Sequence, residues 1–252
     1  MSRPVDPDPR AVRAAAANAA WCATVCWAHG IPSSLAAGLW RAEGSPPPFY
    51  PDAVTLEPGL DPARVASLVP SREGASVKDS FGDVDLGALG FVVLFEAQWV
   101  WHDPTAGASA TTGPVWTAVR DEAGLAEWAR GAGQQDTLVV ELLGEPGVRF
   151  LRAVENGVEV GRAALCLRVG VVEVSNVWAT APGVWESLVQ AAARWFPARP
   201  LAGYEGGVDL VAAMGGGFVP VGPLRVWVRS LGAKGPHRGL SPSDAGTEEP
   251  TS

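Results

Sequence analysis

Three apolar runs joined by two tight turns most constrain how this chain can fold. The runs occupy residues 148–154, 158–168 and 171–179. Asn156-Gly157 separates the first two, and this pair readily adopts the positive φ angles that a two-residue hairpin turn requires. Gly170 offers a second tight turn between the second and third runs. The sequence therefore predicts three consecutive antiparallel strands.

Two helices are well marked in the sequence. The first is predicted from about residue 8 to residue 28, with Asp8 as its N-cap and Pro9 in its first turn. The second is predicted over residues 182–195, where apolar side chains recur at helical spacing before Pro197 ends the pattern. Weaker patterns predict strands at 54–56, 75–77, 91–101, 115–119, 137–142, 201–203, 219–221 and 224–229, and helices at 63–69, 84–89, 122–130 and 208–214.

Composition and charge exclude several classes of protein. Hydrophobic residues make up 47% of the 252 residues and charged residues 18%, which is typical of a chain with a packed core. The formal net charge of -8 argues against non-specific nucleic-acid binding, which requires a basic surface. No run approaches the roughly 20 apolar residues of a membrane helix. We therefore expect neither a nucleic acid nor a membrane as partner, and the oligomeric state stays open.

The three cysteines indicate the compartment rather than a reaction. Their odd number, with no signal peptide in the sequence, favours a reducing cytoplasm. Cys22 and Cys26 stand four residues apart on one helix face, but His29 alone does not complete a metal ligand set. We expect no metal, and we expect these thiols to fill a core as small apolar groups.

Two segments of the chain share a pattern that indicates an internal repeat. Residues 82–91 and 206–218 each read Val-Asp-Leu, then a short helix, then Gly-Phe, and each leads into a strand containing Trp. Asp can cap such a helix and Gly can end it. The pattern is either a genuine duplication or the ordinary appearance of an α/β unit, and the sequence leaves both open.

From residue 115 to residue 229 the chain resembles the GCN5-related N-acetyltransferase (GNAT) superfamily. The resemblance rests on the hairpin that begins at Phe150, on the 171–179 segment followed at once by a helix, and on Gly217-Phe218 before the last strands. It implies an α/β (α+β) fold, with a mixed, mainly antiparallel sheet flanked by helices. It also implies this division: an N-terminal GNAT-like half-domain at 1–103, a linker at 104–114, a GNAT-like domain at 115–231 and a disordered tail at 232–252.

The resemblance also implies a function. In GNAT enzymes a central strand separates from its neighbour, and its free backbone binds the pantetheine arm of acyl-CoA. The next helix directs its N-terminus at the pyrophosphate. Carried over to this sequence, acetyl-CoA or another acyl-CoA would be the co-substrate, and a small-molecule or peptide amine would be acylated. The residues implied in cofactor binding are Val174, Asn176, Trp178 and Gly183.

The expected pyrophosphate loop is incomplete in this sequence. The family pattern is Arg/Gln-x-x-Gly-x-Gly/Ala. If Gly183 is the first glycine, Thr180 replaces the cation and Trp185 the last small residue; if Gly183 is the last, Trp178 replaces the cation. Ala213 stands where the family often has a Tyr that acts as an acid toward the departing thiolate. The alternative is therefore a catalytically inactive GNAT-fold binding or interaction module.

Two residues are the candidate catalytic groups. Glu173, in the middle of a predicted strand, would be the general base for the amine, although its alternation with Val172 and Val174 favours a solvent-facing carboxylate. Tyr204 stands beside Glu205 at a predicted strand end near a cleft, a suitable place for acid–base chemistry. Its alternative is an ordinary surface tyrosine.

Overall fold

The computed structural model describes residues 6–104 and 113–230. Within them the helices are α1 Pro9–Ala28, α2 Pro62–Leu68, α3 Glu122–Gly131, α4 Val184–Trp195 and α5 Gly207–Gly215. The strands are β1 Ser33–Ala36, β2 Leu39–Ala42, β3 Ala53–Thr55, β4 Ser76–Asp79, β5 Phe91–His102, β6 Val115–Ala118, β7 Val148–Glu155, β8 Val158–Arg168, β9 Val171–Ala179, β10 Leu201–Glu205 and β11 Val219–Arg229.

All of these strands join one sheet, in the order β1-β2-β3-β4-β11-β5-β10-β9-β8-β7-β6. In the described part of the chain, β3 with β4 and β9 with β10 are the two parallel pairs, and the other neighbours are antiparallel. The predicted α/β fold with a mixed, mainly antiparallel sheet and flanking helices is therefore confirmed.

The three consecutive antiparallel strands predicted from the two tight turns form as expected. β7, β8 and β9 pair antiparallel in sequence order. Asn156 and Gly157 have φ angles of 51° and 80°, the left-handed conformation that the first hairpin turn requires. Val169 and Gly170 have φ angles of 45° and 78° at the second turn, so a β-branched residue shares the conformation expected of glycine.

The longest strand pairing among the described strands lies at the centre of the sheet, between β5 and β11, and its register shifts at two points. Their register runs from Phe91 opposite Arg229 to Trp101 opposite Val219. On the outer sides of this pair, β4 joins β11 and β10 joins β5. The last strand of each half of the chain therefore pairs with two strands of the other half, and one sheet runs through both. The duplication itself stays a prediction.

Helices cover both faces of the central strands. On one face α1 presents alanines that pack against large side chains such as Trp99 and Trp101. Because alanine is small, the helix axis can approach the sheet closely. On the other face α4 packs Leu188 and Ala191 against Val172 of β9. We call these the α1 face and the α4 face.

Both strongly marked helices form. Asp8 caps α1 by accepting a hydrogen bond from the Arg10 backbone N–H at 2.8 Å, and Pro9 is the first helical residue. α4 begins two residues later than predicted, after Gly183.

Several weaker predictions were wrong. Residues 137–142 form no strand; a 3₁₀ turn covers Val140–Gly144, because Leu138 and Leu142, four apart, are buried while Val140 is exposed. The predicted helix at 84–89 is reduced to a 3₁₀ turn at Gly87–Leu89. The buried Asp79 carboxylate accepts backbone hydrogen bonds from Phe81 and Val84 and holds the preceding segment in a tight loop instead.

Strand content was also underestimated. β1 and β2 lie in a Pro-containing stretch for which no strand was predicted. The two predicted final strands, at 219–221 and 224–229, are one strand, β11, whose register with β5 shifts between Pro220 and Gly222. Gly222 and Pro223 follow this bulge directly and continue the pairing with β5.

The chain ends and the linker complete the comparison with prediction. Residues 105–112 of the predicted linker and the predicted tail at 232–252 lie outside the described residues.

Cys22, Cys26 and Cys166 are buried free thiols. Across residues 6–104 and 113–230, no helix is both long enough and apolar enough to span a bilayer.

Candidate functional site

A gap opens between the parallel strands β9 and β10. Their backbones pair only at Val172 with Leu201 and at Glu173 with Ala202. At the next residue of β10 they touch once more, since a Cβ on Gly203 would lie 2.6 Å from the carbonyl oxygen of Val174. Beyond that contact the strands diverge. The edge of β9 from residue 175 to residue 179 therefore has no strand partner on the β10 side within the described chain.

A β-bulge shapes this free edge. In the register of β8 with β9, Ala164 pairs with Ser175 and Arg162 pairs with Trp178, so β9 carries one extra residue between them. Asn176 has a φ of 52° within that bulge. Bulges of this kind bend a strand and re-aim its backbone groups. Asn176 therefore forms part of the bulge.

The start of α4 lies just beyond the free edge. Gly183 precedes the helix with a φ of 79°, and no side chain caps the first turn. The backbone N–H groups of such a turn attract anions, because they lack partners within the helix and lie at the positive end of its dipole. Glu186 in the same turn opposes this attraction. The site is therefore built for an anion by its backbone but not by its side chains.

Aromatic side chains narrow the space around this turn. Trp185 is buried, its ring centroid lies 5.4 Å from that of Phe218, and its Cβ lies 2.6 Å from where a Cβ on Gly216 would be. Helices α4 and α5 are thus in close contact there. Trp178, by contrast, is 42% exposed at the end of β9, with the Arg162 guanidinium 5.2 Å from its ring centroid.

The predicted cofactor-binding residues therefore follow one another along a single feature. Val174 lies where the strands diverge, Asn176 forms the bulge, Trp178 lies on the exposed end of β9, and Gly183 begins α4. Whether they bind a cofactor stays a prediction.

The two predicted catalytic residues lie on the α1 face, in one polar cluster. Glu173 is fully buried, so the expectation of a solvent-facing carboxylate was wrong; α1 covers the strand there. Asn18 of α1 donates from Nδ2 to Glu173 Oε1 at 2.6 Å. Its Oδ1 accepts from Lys78 Nζ at 2.7 Å. The Lys78 ammonium also lies 4.3 Å from the centroid of the Tyr204 ring.

Asn18 and Lys78 were missed in the sequence. One signal for Asn18 was present, since it is the single amide within the run of alanines that α1 buries. Lys78 occupies a short strand whose pattern shows nothing unusual. Its side chain is placed by the tertiary fold, because β4 and β9 are separated in the sheet by three other strands.

Burial controls the ionisation of this cluster. It raises the pKa of Glu173 to about 8, against the lowering effects of the Asn18 hydrogen bond and the Lys78 charge. Burial also lowers the pKa of Lys78, but Tyr204, Cys22 and Glu173 reverse that effect and the net shift is upward. Glu173 Oε2 has no hydrogen-bond partner among the described residues. The cluster is thus sealed and only partly satisfied.

A cavity of about 520 Å³ lies at the end of β10. Its walls come from β5, the β10–α5 junction and β11; the lining residues are Glu96, Ala97, Gln98, Glu205, Gly206, Gly207, Leu210, Gly222 and Pro223. The described residues contain no cluster of three or more His, Cys, Asp or Glu side chains arranged to hold a metal ion.

Comparison with solved structures identifies the fold. The chain is similar to a GCN5-related N-acetyltransferase from Kribbella flavida, with a TM-score of 0.61 and 18% identity over 88% of this chain and 96% of that one. It is also similar to a putative acetyltransferase from the GNAT family of Novosphingobium aromaticivorans, with a TM-score of 0.56 and 14% identity over 91% and 100% of the two chains.

These alignments span both halves of the chain rather than the second half alone. The GNAT resemblance is confirmed: this protein has a divergent form of the GNAT fold. No protein-family model and no curated protein sequence matches the chain.

The close contact between Gly203 and Val174 predicts a sensitive position. Gly203→Ala should destabilise the protein by about 1–3 kcal/mol, because the added Cβ meets backbone that cannot rotate away. Urea denaturation measures this change. Gly215→Ala is the matched control, since a Cβ there meets nothing within 4 Å and we expect no loss of stability. Equal stabilities for the two variants would contradict the close contact between Gly203 and the Val174 backbone.

The raised pKa of Glu173 predicts a pH-dependent stability. Between pH 4.5 and about 8 the unfolded state loses the Glu173 proton while the folded state keeps it, so this group makes the protein less stable as pH rises through that window. Glu173→Gln keeps the acceptor for Asn18 but cannot ionise. Its melting temperature should match that of the wild type near pH 5 and exceed it near pH 8. Parallel pH profiles for the two proteins would show that the carboxyl is not protonated when buried.

Proposed function

We propose that this protein is an acyl-CoA-dependent N-acyltransferase. The observation that carries the proposal is the divergence of β9 from β10 beside the uncapped first turn of α4. The free backbone groups on the edge of β9 can hydrogen-bond the amides of a pantetheine arm. The N–H groups that follow Gly183 are suited to the pyrophosphate.

The reaction is direct transfer. The acyl-CoA lies along Val174, Asn176 and Trp178, with its thioester at the gap, and a backbone N–H of β9 stabilises the oxyanion that forms during attack. The amine nitrogen forms a bond to the thioester carbonyl carbon, the carbon–sulfur bond breaks, and CoA leaves as the thiol.

The proton-transfer roles of Glu173 and Tyr204 stay predictions. Tyr204 packs against Phe95 and Trp99 on the α1 face, with ring-centroid distances of 6.3 and 5.7 Å. Glu173 is fully buried and held by Asn18. An amine arriving from solvent therefore meets α1 before it meets the Glu173 carboxylate, and this favours a different group for the first proton transfer.

One observation favours the second candidate, a binding or interaction module without catalysis. The first turn of α4 carries Glu186, and Thr180 stands where the family has a cation. Trp185 packs tightly against α5 beside the same turn. These side chains weaken the attraction for a pyrophosphate without altering the fold.

Acetyl-CoA binding separates the two candidates. If the native state alone binds acetyl-CoA, the ligand adds about 2.7 kcal/mol to the free energy of unfolding at a concentration 100 times the dissociation constant. The melting temperature rises as a result. Free CoA, which lacks the acyl group, is titrated in the same measurement as a second ligand. The absence of a shift with millimolar acetyl-CoA, and with longer acyl-CoAs, would leave the binding module as the function.

Paired variants at Gly183 test the location of the pyrophosphate. Asp and Asn are nearly equal in size, and both tolerate the left-handed conformation, so their backbone strain is shared. Gly183→Asp should weaken acetyl-CoA binding at least about tenfold relative to Gly183→Asn, because a carboxylate at the helix start repels the phosphates. Thermal shift measures both variants. Equal binding by the two would place the pyrophosphate elsewhere.

A further inference from the structure

The cavity at the end of β10 opens on the α4 face, opposite the sealed Glu173 cluster. Leu201 packs in the cluster formed with α4, and alternate residues of a strand share a face, so Glu205 points to the same side. Tyr204 points to the α1 face. At about 520 Å³, the cavity is within the range of sites that hold small organic ligands.

Glu205 is the one carboxylate on the cavity wall that has no partner in the described chain. Glu96, the other acidic group, accepts hydrogen bonds from the Arg225 guanidinium at 2.8 Å. No hydrogen bond or ion pair engages the Glu205 side chain within residues 6–104 and 113–230. A ligand in the cavity can therefore interact with Glu205 without displacing a protein contact.

The surroundings of Glu205 favour a cationic ligand. Burial raises the pKa of its carboxyl to about 8, and the like charges of Asp209 and Glu173 act in the same direction. An ammonium ion would relieve this repulsion. Gln98 adds a polar residue to the wall, and Leu210 and Pro223 add apolar residues. The chemistry therefore matches a primary amine on a short apolar chain.

The cavity is also close to the gap that the proposed acyl donor would occupy. Glu205 follows Gly203 by two residues, and Gly203 touches Val174 at the point where the strands diverge. Two residues of extended strand cover about 7 Å. A small amine beside Glu205 would thus lie next to a thioester in the gap.

We propose that this cavity is the acceptor site for a primary amine, and that Glu205 removes its proton. The amine binds as an ammonium ion; one N–H bond breaks and an O–H bond forms on the Glu205 carboxylate. The freed lone pair attacks the thioester carbonyl carbon, the carbon–sulfur bond breaks, and a second N–H proton passes to the departing sulfur. The transfer step rests on the proposed function, whereas amine binding does not.

Amine binding is tested without any acyl donor, by NMR chemical-shift titration at pH 9. Butylamine should shift the backbone amides of Gly206 and Gly207, and its neutral analogue 1-butanol should not. Glu205→Gln should weaken butylamine binding at least about tenfold. Glu141→Gln is the matched control, because it removes the same charge from an exposed position on a different element, and we expect unchanged binding.

The pH dependence gives a second measurement that a merely structural role for Glu205 would not produce. Butylamine affinity should rise as pH increases through about 8, where the Glu205 carboxylate forms, and this rise should be missing in Glu205→Gln. An unchanged melting temperature for the variant confirms that it folds. Equal binding of butylamine and 1-butanol, wild-type affinity in Glu205→Gln, or no binding at all would overturn the inference.

Failure of this inference and failure of the proposed function are distinguishable. If butylamine binding depends on Glu205 but the protein binds no acyl-CoA, the amine site is supported and the transferase function is excluded. If the protein binds acetyl-CoA but its amine binding is independent of Glu205, the transferase function is supported and this acceptor site is excluded.

Discussion

The antiparallel pairing of β5 with β11 is the interaction on which the rest of the structure depends. It joins the two halves of the chain in one sheet and leaves β10 hydrogen-bonded to β5 along its whole length. β9 is held in the same way by β8. The pairing of β9 with β10 ends after two residue pairs, and the bulge at Asn176 bends β9 just beyond that point. The two outer pairings thus keep both strands in the sheet, while the edges that face each other separate.

The two faces of the sheet have different chemistry. On the α1 face, Asn18 bridges the Lys78 ammonium and the Glu173 carboxyl group, and the cluster is excluded from water. A buried hydrogen-bonded network of this kind penalises alternative arrangements, because a wrong register would leave buried polar groups unpaired. We infer that this bridge helps to fix how α1, β4 and β9 lie together.

The α4 face carries the features that a ligand can reach. The free edge of β9, the first turn of α4 and the cavity beside Glu205 follow one another along it. The backbone of this face suits the proposed acyl-CoA site better than its side chains do. With Gly183 as the first glycine of the family pattern, Thr180 and Trp185 replace the cation and the last small residue, and Glu186 adds a negative charge to the same turn. This contrast explains why backbone geometry supports a transferase while the loop sequence favours a binding module.

Local sequence determined the elements whose signals come from adjacent residues. The Asn156-Gly157 turn, the Asp8 cap of α1 and the apolar stripe of α4 need no distant partner, so the three-strand unit and both helices could be predicted. The fold class followed from the resemblance to the GNAT superfamily. Tertiary structure decided the features that depend on partners far along the chain. These are the burial of Glu173 under α1, the approach of Lys78 to Tyr204, the joining of two predicted strands into β11, and the cavity at Glu205. Side-chain alternation shows that two faces exist, but only the packed helices decide which face is sealed and which is open.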